Sequence, residues 1–324
     1  MNVDGSSRSP TDWISHGLAS PHDNVVTSWV PTGFAAYARV LHEVDGYDGP
    51  LPVVRWGDVA RWSGVVLAPT TQWIDVALPE ILPPMPPPWR NQGPREGWLS
   101  RVDTAALAAV LDPSGRARSF FGVWSGYGPL IDVRDSLSND APPPARYAPQ
   151  PTLELPWRDY QLYDGTSTGA SSFIAAGGRF QSASVWWAAD RSWFVASEID
   201  LTATYVGASR DIIGRLLDDP RLETTRSGPD VSIMRRVPSW LAPVIGAAAE
   251  DVLATGSTEV ELSMGRLRVT YERRGGGHGW IHTTFERTFG GGGGGGGRVV
   301  TIDPEELRDG VRRYIESAVF SMIA

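Results

Sequence analysis

The sequence predicts an α+β protein built from two domains, and three stretches carry this prediction. Residues 184–217 read as a strand, a short loop and a helix. Residues 258–272 alternate on either side of a glycine, as a β-hairpin does. Residues 303–322 begin with helix-starting residues and continue with one apolar stripe. Strand and helix periodicities thus coexist in one chain.

The stretch 184–217 is the densest aromatic part of the chain. In the predicted strand 192–199, Trp193 and Val195 lie on one face and Phe194 on the other, so we expect both faces to be covered. The same alternation puts Glu198 and Asp200 on one face at the end of this strand. Residues 202–208 are then expected to turn.

Ser209 follows this turn as a predicted N-cap. The apolar residues after it, Ile212, Ile213, Leu216 and Leu217, have helical spacing. We therefore expect polar groups to gather between the strand and the helix.

The first domain is assigned to residues 25–225, with a mixed sheet and packed helices. Residues 1–24 are rich in Ser, Asp, Gly and Pro and are expected to form a flexible lead-in. Further predicted elements are strands at 34–42, 120–127 and 158–164 and helices at 56–63 and 103–111. The segment 78–97 contains LPPMPPPW, which cannot form a regular element inside a core and is expected to be an extended surface segment.

The second domain is assigned to residues 230–324, after a linker at 225–230. We predict a helix at 238–253, strands at 258–264 and 267–272 around a Gly265–Arg266 turn, and further strands at 280–289 and 298–302. The eight glycines 290–297 are expected to form a flexible hairpin loop. The last helix is expected to start with Asp303 as cap and Pro304, and its apolar stripe favours packing in the core.

Composition limits the classes of function. The 324 residues include no cysteine, which excludes disulfides and thiolate chemistry. The net charge of −8 argues against a dedicated nucleic-acid-binding protein. No apolar run approaches membrane-spanning length, and the first residues lack a signal-peptide pattern, so we expect a cytoplasmic protein without membrane contact.

Glu198 and Asp200 are the candidate catalytic residues. Two carboxylates this close can raise one pKa for acid–base catalysis or hold a divalent cation together. The alternative is that Arg158, Arg191 or Arg210 neutralises them at the edge of a sheet.

Aromatic side chains around the same stretch form a second candidate site. They could line a pocket or groove for a flat ligand, a sugar or a peptide, or they could simply fill the core. The loop before the predicted helix could in addition bind an anion, although simple capping is the alternative. The candidate binding residues are Trp124, Tyr127, Trp186, Trp187, Arg191, Tyr205 and Ser209.

His278, His282 and Glu286 are weak candidates for a metal site. Their spacing would suit zinc on a helix, but the β-rich sequence around them favours a strand. On a strand His282 and Glu286 still share a face, whereas incidental surface histidines are the alternative. No cofactor is expected.

Several segments together resemble a family of uncharacterised cytoplasmic proteins of high-GC actinobacteria. The segments are VPTGFAAYARVLH, RWGDVARWSG, FGVWSGYG, RDYQLYDG and VWWAADRSWFVASEIDLTATYVGASRDIIGRLLDDPRLE, within residues 28–225. Ala188 and Ala208 stand where the family pattern has Pro and Gly. The resemblance implies an actinobacterial, cytoplasmic origin and supplies no activity and no catalytic residue.

Three hypotheses of function follow. The first is a non-enzymatic binding or accessory protein that recognises a protein or small ligand through the aromatic and acidic surface at 186–209. The second is a metal-assisted or acid–base hydrolase that uses Glu198 and Asp200. The third is an immunity-type protein, for which acidity and small size are typical.

Overall fold

The structure is a computed structural model. It describes residues 11–44, 53–81, 83–89, 93–127, 130–131, 151–175, 180–233, 236–274, 278–287, 292–300 and 304–323. The chain divides into two compact units. The first unit comprises Met1–Gly46, Ala68–Thr70 and Arg95–Met234, and the second comprises Tyr47–Leu67, Thr71–Pro94 and Arg235–Ala324.

This division differs from two sequential domains, because two internal segments join the C-terminal part of the chain. These segments carry the short helices α2 (Trp56–Ser63) and α3 (Trp73–Ala77), which pack against each other. Helix α3 also packs against α7 (Pro304–Ile323), the last helix of the chain. Packing between distant segments of this kind leaves no local signal in the sequence.

The first unit is built on an eight-stranded sheet with the order β10-β1-β9-β8-β7-β2-β5-β4, and each of these pairs is antiparallel. Its strands are β1 (Ala36–Leu41), β2 (Arg118–Trp124), β4 (Thr152–Glu154), β5 (Asp159–Thr166), β7 (Val185–Ala188), β8 (Trp193–Ala196), β9 (Ala203–Ala208) and β10 (Thr224–Ser227). The short strands β3 (Leu130–Ile131) and β6 (Ile174–Ala175) pair separately. The α+β fold class predicted from the sequence is confirmed.

Both faces of the central strands β7, β8 and β9 are covered, as the apolar alternation predicts for residues 192–199. On one face Phe121, Trp186 and Trp193 join a core with helices α4 (Arg101–Leu111) and α5 (Arg210–Asp218). On the other face Trp187 and Phe194 stack with their ring centroids 5.8 Å apart. The neighbouring side chains therefore alternate between two buried layers.

Three predictions for the first unit need correction. Residues 203–208, expected to turn, form the buried strand β9 between β1 and β8. The expected linker at 225–230 overlaps β10, which pairs with β1 at the end of the sheet. The lead-in, where it is described, contains helix α1 (Asp12–Gly17), which Ile14 anchors because its side chain is fully buried.

The second unit contains a four-stranded antiparallel sheet in simple sequential order. Its strands are β11 (Ser257–Leu262), β12 (Gly265–Arg274), β13 (His278–Arg287) and β14 (Gly292–Val300). Helices α6 (Leu241–Thr255) and α7 pack against this sheet and against each other. Val311, Ile315 and Val319 of α7 are buried, so its apolar stripe belongs to the core as predicted.

Two predictions for the second unit also need correction. The turn of the β11–β12 hairpin is formed by Ser263 and Met264, because Leu262 pairs with Gly265. Gly292–Gly297 lie on β14 and pair with β13, whereas a flexible loop was predicted for 290–297. Antiparallel pairing gives these glycines backbone partners that composition alone does not reveal. Residues 290, 291 and the predicted cap Asp303 lie outside the described residues.

Candidate functional site

Three aromatic rings of the first unit form a continuous run, which we call the aromatic cluster: Trp98, Tyr127 and Trp124. The rings of Trp98 and Tyr127 are stacked at 6.3 Å, and Trp124 meets Tyr127 edge-on at 5.0 Å. All three side chains are half-buried. Guanidinium groups cover both ends, with Arg95 5.4 Å from the Trp98 ring and Arg158 5.2 Å from the Trp124 ring. Such cation–π contacts stabilise partly exposed rings.

Two glycines allow the rings to come together. Strand β2 ends at Trp124, and Gly126 in the following 3₁₀ turn lies under the Trp124 ring, where a Cβ would come within 2.3 Å of a ring carbon. Gly97 has a φ of +85° and lies against the backbone of Ile199, 2.7 Å from where its Cβ would be. A side chain at either position would therefore displace part of the cluster.

A tight hairpin delivers Arg158 to this cluster. Strands β4 and β5 are joined by Pro156 and Trp157, and Leu155 and Arg158 exchange both backbone hydrogen bonds. This places the Arg158 side chain between the Trp124 ring and the loop after β8. Its position thus depends on a turn with proline at the residue where turns favour it.

Arg158 binds both candidate catalytic carboxylates at once. Its Nε donates to Glu198 Oε1 at 2.8 Å, and its Nη2 donates to Asp200 Oδ2 at 2.9 Å. The side chain of Glu198 is only 5% exposed, whereas that of Asp200 is 73% exposed. The two residues follow β8 in a loop and not on the strand itself, which corrects the prediction of a shared strand face. Of the two outcomes left open by the sequence, neutralisation by arginine is the one observed.

The electrostatics of the pair follow from burial. Burial raises the pKa of Glu198, and the hydrogen bonds and charge of Arg158 act against that rise. The opposite charges of Glu198 and Asp200 raise the pKa of Arg158 above its ordinary value, against its own desolvation. Both carboxylates are thus held as hydrogen-bonded partners of one cation.

Tyr127 is fixed from behind by a buried amide. Burial raises the pKa of Tyr127 to about 12, and its hydrogen bond with the Gln181 side chain partly offsets this rise. Gln181 is itself buried and donates from Nε2 to the Ser182 carbonyl at 3.2 Å. The phenol therefore stays protonated at neutral pH, and its hydroxyl is held at the buried amide.

A buried hydrogen-bond chain supports the Arg95 end. A carbonyl can only accept, so His42 Nδ1 donates to the Arg95 carbonyl at 2.7 Å. His42 Nε2 then accepts from Thr204 Oγ1 at 2.9 Å, and Thr204 accepts from Ser197 Oγ at 2.6 Å. Burial lowers the pKa of His42 to about 4, which keeps the ring neutral. The chain fixes the backbone that presents Arg95.

Three predicted binding residues are core residues. Trp186 and Trp187 are each 2% exposed and Tyr205 is 4% exposed, so they offer no surface to a ligand, which corrects that part of the prediction. Trp186 and Trp187 are consecutive on β7 and point to opposite faces of the sheet, so they cannot line one pocket. The core position that the sequence analysis gave as the other possibility for the aromatic residues holds for these three.

Arg191 and Ser209 are exposed and have local roles. Arg191 has a φ of +62° in the turn between β7 and β8, and its guanidinium lies 5.1 Å from the ring of Trp13. The Ser209 hydroxyl accepts from the Ile212 backbone N–H at 3.2 Å, which confirms the predicted N-cap of α5. Neither residue contacts the aromatic cluster.

The weak metal candidates lie on β13, as the strand prediction requires. His282 and Glu286 are exposed on one face, where the His282 ring stacks on Trp280 at 6.4 Å. The side chain of His278 is outside the described part. Among the described residues, no group of three or more His, Asp or Glu side chains is arranged to hold a metal ion.

Four predicted residues therefore meet in one place: Trp124, Tyr127, Glu198 and Asp200. The sequence analysis missed Trp98, Gln181 and Arg95, and it treated Arg158 only as a neutralising charge. The available signal was glycine beside an aromatic residue, in Gly97–Trp98 and in Trp124–Ser125–Gly126. Close approach of backbone and ring is a frequent reason for such glycines.

None of the described helices is long and apolar enough to cross a membrane. In the comparisons with known proteins, no family model matches the chain, and neither the curated proteins nor the solved structures give a significant match.

Proposed function

We propose that this protein is a non-enzymatic binding or accessory protein whose recognition surface is the aromatic cluster with Arg158 and Asp200. The observation that carries the proposal is a run of three half-buried rings beside a guanidinium and an exposed carboxylate. Trp, Tyr and Arg are the residue types that dominate binding energy at protein interfaces. The cytoplasmic location and the absence of nucleic-acid and membrane partners remain part of this proposal.

The geometry favours binding over catalysis. A general base or a metal ligand needs a carboxylate whose lone pairs face the substrate. Here the Arg158 guanidinium binds both carboxylates, and the buried one, Glu198, accepts its hydrogen bond through Oε1. The hydrolase hypothesis would require Arg158 to leave, which would strip a buried charge of its partner. The immunity-type hypothesis is supported only by acidity and size.

The rings also match the requirements of a recognition surface. Close contacts at Gly126 and Gly97 and the hydrogen bond with Gln181 fix the positions of the rings. Binding would therefore cost little side-chain conformational entropy at these rings. A flat or sugar-like ligand would contact the exposed parts of these half-buried rings, and a protein partner would insert a side chain beside Asp200. Either kind of partner would contact the same residues of this protein.

Site-specific photo-crosslinking tests the proposal. A photoreactive phenylalanine analogue is placed at position 98 of the full chain and, as a control, at position 66, where Val66 is 86% exposed in the second unit. Binding at the cluster predicts a discrete crosslinked product in cells at position 98 that Arg158→Met removes. Equal products at both positions, or none at position 98, would count against it.

A small-molecule arm separates ligand binding from turnover. Sugars, nucleosides and aromatic peptides are screened by thermal shift on the wild type and on Trp98→Ala. A ligand that stabilises only the wild type supports the proposal. Hydrolysis of model ester, glycoside or phosphate substrates that Glu198→Gln abolishes would instead establish the enzyme hypothesis.

A further inference from the structure

A second group of aromatic rings lies at the turn between β4 and β5, and the proposed site does not use it. We call it the Trp157 platform: Trp157, Trp29 and His22. The rings of Trp157 and Trp29 are stacked at 6.3 Å, and His22 meets Trp157 edge-on at 5.5 Å. All 14 tryptophans lie within the described residues, and Trp157, at 44%, is the only exposed one. An exposed indole on fixed neighbours is typical of a binding surface.

Neighbouring segments hold the platform in place. Trp29 comes directly after the buried 3₁₀ turn Val26–Ser28, and its backbone N–H donates to a carbonyl of that turn at 3.1 Å. His22 lies in the preceding 3₁₀ turn, where Asn24 Nδ2 donates to its carbonyl at 3.0 Å. The two backbone hydrogen bonds of the hairpin fix the turn that carries the third ring. The rings are thus placed before any partner binds, which lowers the entropic cost of binding.

Two carboxylates lie directly beside this turn. Glu154 and Asp159 are opposite each other on β4 and β5, and both are exposed. The next pair, Leu155 and Arg158, exchanges both backbone hydrogen bonds, so Glu154 and Asp159 form the closer kind of pair, with Cα atoms about 4.5 Å apart. Within the described residues, neither carboxylate has a cation or a hydrogen-bond donor as partner. Like charges in this position repel each other and destabilise the hairpin.

The chain itself shows which cation suits such a set of groups. The guanidinium of Arg158 lies 5.2 Å from the Trp124 ring while it binds two carboxylates at 2.8 and 2.9 Å. Because a guanidinium is planar, it can lie over an indole and donate to carboxylates at its edge at the same time. Trp157 with Glu154 and Asp159 offers the same groups to a cation from outside. Strand alternation puts the side chain of Asp159 on the face of the hairpin opposite to Arg158, so the two sets of groups are separate.

We infer that the Trp157 platform, with Glu154 and Asp159, is a docking site for an exposed arginine of a partner protein. The guanidinium contacts the Trp157 ring and donates to the two carboxylates, which removes the repulsion between them. Charge complementarity selects this partner, since a neutral or acidic segment leaves the repulsion in place. A protein segment suits the site better than free arginine, because Pro156 and Trp157 are exposed on an open turn, whereas small ligands bind in concave pockets.

The indole N–H resonances of the full-length, isotope-labelled protein show where a peptide binds. The probe is a short glycine peptide with two arginines, and single Trp→Phe variants assign the resonances. We expect saturable shifts at Trp157 and Trp29, with a Kd below about 1 mM, and none at Trp98 or Trp124. Trp29 Nε1 is buried and has no acceptor within the described part of the chain, so its resonance is sensitive to any group that approaches. The same peptide with citrulline, which keeps the shape of arginine without its charge, should cause no shift.

Variants test the two kinds of contact separately. Glu154→Gln/Asp159→Asn removes both charges at nearly constant shape and should weaken binding of the arginine peptide by about tenfold or more. It should not lower the melting temperature, because the repulsion is lost as well. The matched control, Asp218→Asn/Asp251→Asn, removes the same charge from two other exposed positions and should bind like the wild type. Trp157→Ala, which removes the ring, should also weaken binding.

Several results would overturn the inference. They are the absence of saturable shifts at Trp157 and Trp29, equal shifts with the citrulline peptide, equal weakening in both double variants, and binding of free arginine as tight as that of the peptide. Shifts that depend on protein concentration without peptide would identify a second copy of the chain as the occupant instead. Shifts confined to Trp98 and Trp124 would overturn the inference while they support the proposed function, so failure of one is distinguishable from failure of the other.

Discussion

Removal of Arg158 should destabilise the protein in a pH-dependent manner. In Arg158→Met the Glu198 carboxylate, 5% exposed, loses its cation and becomes a buried, unpaired charge. The folded protein can always escape by protonating Glu198, whose ordinary pKa is 4.5. Protonation costs about 1.4 kcal/mol for each pH unit above the ordinary pKa, so at about pH 7.5 it costs at most ~4 kcal/mol. This sets a ceiling on the electrostatic loss.

The same reasoning fixes the sign of the pH dependence. Loss of Arg158 raises the folded pKa of Glu198 further, so the folded state binds a proton that the unfolded state lacks above pH 4.5. The penalty is therefore absent at low pH and grows as pH rises toward the folded pKa. We expect a loss of ~3 kcal/mol at about pH 7.5 and no more than ~1.5 kcal/mol at about pH 5.5.

Urea denaturation at the two pH values measures this loss for the wild type, Arg158→Met, Glu198→Gln and the double variant. The double variant should recover most of the stability at the higher pH, because no buried charge remains. Arg118→Met is the matched control, since Arg118 and Asp164 form an exposed ion pair and the loss should stay below about 0.5 kcal/mol. An Arg158→Met penalty that is equal at both pH values would refute the reasoning.

Two further predictions concern the support of the aromatic cluster. The folded pKa of His42 is about 4, against an ordinary value of 6.5, so between these pH values only the unfolded chain binds the proton. Lowering the pH through this range should therefore remove ~3 kcal/mol of stability from the wild type, and His42→Gln should not show this loss. Urea midpoints at several pH values measure the effect, and parallel pH curves for the two proteins would contradict it. Gly126→Ala should displace the Trp124 ring and cost about 1–3 kcal/mol, measured by thermal denaturation and tryptophan fluorescence, because its Cβ has no room. Gly214→Ala in α5, where a Cβ meets nothing within 4 Å, is the control and should be neutral or stabilising.

Several helices and strands could be predicted from the residues within each element. The helices α2 and α7 and the strands β1 and β13 lie where the sequence predicts them, and Ser209 caps α5. The predicted cap was wrong where a competing residue was nearby: Ser100, and not Asp103, caps α4, and its hydroxyl accepts the backbone N–H of Asp103. A cap is chosen by the direction of the incoming chain, and several polar residues can satisfy the same pattern.

Strand β9 shows the opposite limit. Thr202, Gly207 and Ser209 are typical of a turn, yet residues 203–208 form a strand buried between two others. Gly207 is needed there because a Cβ would come within 2.5 Å of the Phe34 ring. Glycine marks close approach as often as it marks a turn, and only the neighbouring strand decides which applies.

Local sequence patterns were enough to predict the fold class, the apolar alternation of the aromatic strands and the exposed proline-rich segment, because each depends on residues within one turn of helix or one short segment. The arginine that Trp124 and Glu198 share, and the burial of Trp186 and Trp187, depend on tertiary packing. Arg158 and Glu198 are 40 residues apart, and the strands next to them, β5 and β8, are separated by two others in the sheet. Strand order is a property of the whole sheet, so no local pattern could predict which arginine would reach the carboxylates.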